Sequence, residues 1–100
     1  MYPEVSPDPG VIRQVLTDRP ELMLVRVSFE TGAVGAEHAH PHVQATHVRS
    51  GRFRFTIEGE EHEIGPGESV TMAPNQRHGC VCLEAGELID SFAPRRDDFL

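Results

Sequence analysis

Four side chains in this sequence have the types and spacing of a metal site. His38 and His40 lie two residues apart, so on a strand both imidazoles project from one face, near enough to share a cation. Gln44 keeps the same parity, although Pro41 disturbs the alternation between them. His78 comes much later in the chain, as expected if a neighbouring strand completes the set. Imidazole is the commonest biological ligand of zinc, nickel and iron, and an amide oxygen is an acceptable harder partner. The set therefore predicts one divalent transition metal, with nickel, zinc, manganese and iron all compatible. Three neutral imidazoles and a neutral amide leave the charge of such an ion uncompensated. That favours an anionic ligand, Lewis-acid chemistry and the lower oxidation state of a redox metal, which counts against dioxygenase chemistry.

Short strands must position these residues. Residues 22–29 place Val25, Val27 and Phe29 on one face and Arg26 and Ser28 on the other, the pattern of a half-buried strand. Gly32 and Gly35 interrupt it before the histidine segment, which is expected on a strand broken at Pro41. Ser50-Gly51 reads as a turn. The clearest alternation runs over 52–58, with Phe53, Phe55 and Ile57 facing one way and Arg52, Arg54 and Thr56 the other. A hairpin turn at Glu58-Gly59-Glu60 closes it. Further strands are predicted at 62–64, 69–72, 79–83 and 88–92, joined by turns at Gly65-Pro66-Gly67, Pro74-Asn75 and Ala85-Gly86. Many short strands with Gly and Pro turns, and no amphipathic helix, predict an all-β sandwich or closed barrel. The opening, with Pro3, Pro7, Pro9 and Gly10, reads as an extended arm.

The 100 residues suffice for one hydrophobic core, so a single domain is expected; a domain this small gains from a second copy covering an apolar face, and a homodimer is expected. Sixteen acidic against nine basic residues give a net charge of −7, with no basic run, which argues against nucleic acid as a partner. The same field repels a small anion unless a local positive charge, such as a metal ion, offsets it. Cys80 and Cys82 are separated by one residue, and a disulfide between them would close almost no loop. Two free thiols in a reducing compartment are expected, packed rather than ligating. No stretch approaches the ~20 apolar residues of a membrane span, and residues 1–10 are neither basic nor apolar like a signal peptide. A cytoplasmic protein with no membrane partner is the expectation.

Gly32, His38-Ala39-His40, Gln44 and Gly51 resemble the first sequence motif of the cupins, with glutamine where glutamate is commoner. The segment from Gly67 to His78 resembles the second, with Ala73 at the usual proline and Asn75 at the usual glycine. This resemblance implies a cupin jelly-roll β-barrel, a double-stranded β-helix, at 21–94, between an arm at 1–20 and a tail at 95–100. His38-Ala39-His40-Pro41-His42, Gln44, the run from Arg52 to Ile57, the run from Leu88 to Pro94, Arg96, Asp97, Phe99 and Leu100 are similar to the KdgF-type pectin-degradation proteins, with departures at Val43 and His47. The similarity implies a metal-dependent isomerase that converts 4,5-unsaturated monouronates from pectin or alginate into linear keto sugar acids by ring opening and ketonisation. It puts the metal ligands on His38, His40, Gln44 and His78, and a functional carboxylate, aromatic and arginine on Asp90, Phe92 and Arg96.

Opening such a ring requires a proton taken from the anomeric hydroxyl, charge stabilised on the departing ring oxygen, and a proton delivered to the adjacent alkene carbon. Asp90 suits the proton shuttle and Arg96 the substrate carboxylate. Asp90 and Phe92 share a strand face, so an inward Phe92 carries Asp90 inward with it. The plain alternatives are a strand-edge acid for Asp90 and a disordered tail for Arg96. His42 is a candidate for contacting the ligands, His47 for a surface or subunit interface, and His62, beside a hairpin, is read as solvated. The rival functions are a metal-dependent sensor or binding cupin that holds a small acid without turnover, and a cupin dioxygenase.

Overall fold

The computed structural model describes residues 1–100 and contains eight antiparallel strands: β1 (Glu4–Val5), β2 (Val11–Arg19), β3 (Leu22–Phe29), β4 (Val34–His38), β5 (Val43–Ile57), β6 (Glu60–Ile64), β7 (Ser69–Met72) and β8 (His78–Ala93). One turn of 3-10 helix, Asp97–Phe99, follows. The alternation that predicts β3 is realised as buried Met23, Val25, Val27 and Phe29. The hairpin between β5 and β6 turns on Glu58 and Gly59, with φ of 48° and 79°, the left-handed pair that a tight two-residue connection requires.

β5 and β8 are the longest elements and pair with each other from Val43↔Ala93 to Ile57↔His78. Each serves two layers. The first part of β5 pairs with β7 and the last part with β6. The first part of β8 pairs with β4 and the last part with β3, beyond which lie β2 and β1. The two layers close on each other as a jelly-roll barrel. Phe29 of one layer meets Phe53 of the other edge-on, ring centroids 5.2 Å apart, and Met23, Val25, Val48, Phe53, Met72 and Cys82 are almost wholly removed from solvent. No helix of the chain is long and apolar enough to cross a membrane.

Two sequence expectations change here. Ser50-Gly51 and Ala85-Gly86, expected as turns, lie inside β5 and β8 and face each other, where the register shifts between Val48 and Arg52. A Cβ on Gly86 would collide with the Ser50 carbonyl, and one on Gly51 with the Glu84 carbonyl. Small residues are needed because the two backbones cross closely where both strands leave one layer for the other. Residues 1–20, expected as an extended arm ahead of the barrel, are extended but join the sheet. β2 pairs with β3 from Val11↔Phe29 to Arg19↔Leu22, because Val11 and Val15 bury in the core. The tail at 95–100 is also tied down: Phe99 packs against the core, and Arg95 donates to Asp18 of β2 at 3.0 Å.

Gly86→Ala should lower unfolding free energy by about 2 kcal/mol or more, whereas Gly59→Ala, with positive φ but open space around it, should cost ~1 kcal/mol. Urea denaturation of both variants checks this, and equal losses would contradict the close crossing.

Candidate functional site

The buried polar side chains of this barrel are His40, Gln44, Thr46, His78 and Asp90, and they form one contiguous group. His38 ends β4 and sits directly opposite His78, the first residue of β8, with ring centroids 4.5 Å apart. His40 lies in the connection between β4 and β5, anchored where the Asn75 amide donates to its carbonyl at 2.7 Å. Gln44 lies on β5 between Met72 of β7 and Phe92 of β8. The three residues expected on one interrupted strand thus come from a strand end, a connection and a second strand, with the break at Pro41. The ligand-capable nitrogens of His38, His40 and His78 all lie within 4.8 Å of one another.

Hydrogen bonds fix which nitrogens face inward. His38 Nδ1 is 2.7 Å from the Ala36 carbonyl, His40 Nδ1 is 3.2 Å from the His42 carbonyl, and His78 Nδ1 is 2.9 Å from the Gln76 carbonyl. A carbonyl only accepts, so each Nδ1 carries the proton and each neutral ring presents an Nε2 lone pair. Burial pushes His40 and His78 below the ordinary histidine pKa, which keeps those rings neutral. His78 Nε2 is buried with no hydrogen-bond partner, a costly arrangement in an apolar interior unless a cation takes the lone pair.

Gln44 is oriented by a chain of hydrogen bonds running across the sheet. Thr46 stands opposite Asp90 in the β5–β8 register and donates its hydroxyl to Asp90 Oδ1 at 2.6 Å. The Thr46 oxygen then accepts from Gln44 Nε2 at 3.0 Å, which turns Gln44 Oε1 toward His40 Nε2 at 2.9 Å. Two acceptors facing each other repel, and a shared cation relieves that repulsion. Three convergent imidazole lone pairs and an aimed amide oxygen therefore fit a divalent transition metal.

These groups open on a cavity of about 390 Å³ lined by His38, Gln44, His78, Asp90, Phe92 and Arg96 among others, a size suited to a small molecule. Asp90 is buried, and loss of solvation raises its carboxyl pKa to about 6 against the lowering effect of Thr46 and Gln44. Phe92 is buried and packs edge-on to His40 with centroids 5.6 Å apart. Arg96 is held by Asp98 through two bonds of 3.0 and 2.8 Å and lies over Phe99, its carbon 4.2 Å from the ring centroid.

The remaining histidines and cysteines divide by environment. The His42 ring packs 5.3 Å from that of His40, while its carbonyl holds His40 Nδ1. His47 is exposed and contacts Ser69 at 2.7 Å, and His62 is exposed beside Glu60. Cys80 and Cys82 are free thiols, and burial pushes Cys80 up to about 12, which leaves it protonated and inert. Sequence reasoning missed Thr46, whose parity with Gln44 carried a signal in strand alternation.

Residues 25–91 match the Cupin domain family. The chain is 42% identical over 93 residues to the pectin degradation protein KdgF of Dickeya dadantii, covering 91% of this chain and 84% of that protein. Its fold superimposes on the structure of KdgF from Halomonas sp. with a TM-score of 0.93 at 39% identity, covering 99% of this chain and 92% of that one. An RmlC-like cupin from Shewanella frigidimarina gives a TM-score of 0.94 at 37% identity, covering 99% and 89%.

Asp90 sets a pH dependence. Its folded pKa of about 6 exceeds the ordinary 3.8, so its contribution to stability is full below pH 4, falls as pH rises through 6, and stays lost above. The difference is worth about 3 kcal/mol. In chelator-treated protein, Asp90→Asn should therefore gain that much relative to wild type between pH 4 and pH 7. The opposite trend from His40 and His78 is common to both proteins and cancels. Denaturant titrations across this range decide the matter, and a pH-independent difference would refute it.

Proposed function

The chain belongs to the cupin family and, within it, to the KdgF-type proteins, and from that membership we propose a metal-dependent isomerase that converts 4,5-unsaturated monouronates from pectin or alginate into linear keto sugar acids. The observation that carries this reading is a buried carboxyl, Asp90, in the same cavity as His38 and His78, whose ring nitrogens cluster with that of His40. The assignment of the Dickeya relative to pectin degradation supports a uronate as the substrate.

His38, His40 and His78 would hold the metal through Nε2, and Gln44 through Oε1. A divalent cation bound there supplies Lewis acidity and positive charge for an oxygen-rich anion. Ionised Asp90 takes the anomeric proton as the bond from the anomeric carbon to the ring oxygen breaks. The anomeric carbon becomes an aldehyde and the ring oxygen an enolate. Protonated Asp90 then returns the proton to the alkene carbon, and the enolate becomes a ketone. A carboxyl that titrates near neutrality suits both steps. Phe92 walls the cavity beside His40, and Arg96 adds positive charge for the substrate carboxylate. A homodimer belongs to the same proposal: Val5, Ile12, Leu16 and Leu22 are exposed apolar side chains that a second copy would cover.

Protein purified without chelator should hold close to one transition metal per chain, and His38→Ala or His78→Ala should lose most of it by elemental analysis. Full retention in both variants would reject the ligand set. Turnover is read from the loss of ultraviolet absorbance as lyase-generated unsaturated monouronate is consumed. Asp90→Asn should slow it roughly 100- to 10,000-fold while retaining metal. Wild-type protein that carries its metal and leaves this substrate unchanged would overturn the enzymatic reading in favour of a binding protein.

A further inference from the structure

We propose that Arg13 is a carboxylate-binding residue of the cavity, placed there by β2 to hold the anionic group of the ligand. The proposal takes the uronate from the reading above only for the nature of that ligand.

Arg13 points inward. Val11 and Val15 on the same strand are buried, and strand alternation puts residue 13 on their face, opposite Val27 of β3. Its side chain lines the same cavity as His38, His78 and Asp90. An inward guanidinium needs an anion, since a dehydrated charge is costly unless paired. Arg13 has none. Seven of the nine arginines, at 26, 49, 52, 54, 77, 95 and 96, form ion pairs. Arg19 is exposed to water, which leaves Arg13 as the one partly buried arginine with neither a carboxylate within ion-pair distance nor a side-chain hydrogen bond.

No carboxylate of the cavity pairs with Arg13: Asp8 lines the same cavity but lies beyond ion-pair distance of it. Asp98, whose field reaches Arg13, is already bound bidentately by Arg96, and Asp90 is engaged by Thr46. Two guanidinium groups thus meet at this wall with one carboxylate between them. Dehydration and the Arg96 charge both disfavour the charged form of Arg13, a strain that a bound anion relieves. The fork is also held in place: its carbon lies 3.9 Å from the Phe99 ring centroid. A stacked, unengaged guanidinium offers the planar pair of N–H donors that a carboxylate accepts. Arg96, with two of its nitrogens taken by Asp98, offers less. Arg13 is thus a guanidinium facing the cavity without an ion pair of its own.

The test uses the metal-loaded full chain. With unsaturated monouronate, Arg13→Gln should raise KM roughly 10- to 100-fold, leave kcat within about threefold and keep its metal, while Arg13→Lys recovers part of the loss. Calorimetric titration with D-galacturonate, a saturated uronate that cannot undergo the reaction, should show the same weakening in Arg13→Gln. Wild-type protein that binds galacturonate through Arg13 yet turns over no unsaturated uronate would remove the reaction and support the carboxylate site. Equal galacturonate affinity in wild type and Arg13→Gln, no uronate binding by wild type, or a loss confined to kcat and metal content would each overturn the proposal.

Discussion

The antiparallel pairing of β5 with β8 is the constraint on which the rest of this molecule depends. It is the longest ladder in the barrel, and it sets Thr46 opposite Asp90, Gln44 opposite Phe92 and Ile57 opposite His78 in one register. A slip of one residue would reverse which side chains face inward and scatter the polar group over both faces. The paired glycines at the bend let the same two strands belong to both layers. One ladder therefore shapes the barrel and assembles the site.

An apolar interior makes the polar group costly, and the structure offsets that cost by internal hydrogen bonding. Asp90, Thr46 and Gln44 form a sequence of hydrogen bonds, each oriented by the next, that aims the Gln44 oxygen at His40 Nε2. In a low-dielectric setting such a network is rigid, because turning one member leaves its neighbours unpaired. The consequence is a side-chain amide whose oxygen has one direction to point. The unpaired Nε2 of His78 is one point where internal hydrogen bonding stops, and it lies among the groups that face the cavity.

Positive charge is gathered at one wall of the cavity in a chain that is acidic overall. Acidic residues dominate the composition, and most arginines on the surface are neutralised by them. The cavity wall instead brings Arg13 and Arg96 to Phe99, supplied by the second strand and by the C-terminal turn. Both ends of the sequence thus contribute to one wall, held by Arg95 on Asp18 and by the stacking on Phe99.

The sequence by itself determined the residue types of the site and much of the strand pattern. Period-two alternation exposed β3 and the second half of β5, because a half-buried strand must place apolar residues on one face. The grouping of His38, His40 and His78, with Gln44 beside His40, was legible because so few residue types donate to transition metals. Glycine and proline were harder to read. Gly51 and Gly86 mark turns as readily as close backbone crossings, and local chemistry does not distinguish the two. Only the tertiary structure decided that both glycines lie within continuous strands, that residues 11–19 form a barrel strand, and that Thr46 connects Asp90 to Gln44. Each of these depends on which strands become neighbours, a property of non-local packing that no window of sequence contains. Arg13 makes the point most directly: a single arginine in an apparently extended arm acquires a role only once β2 has folded against β3 and turned it toward the cavity.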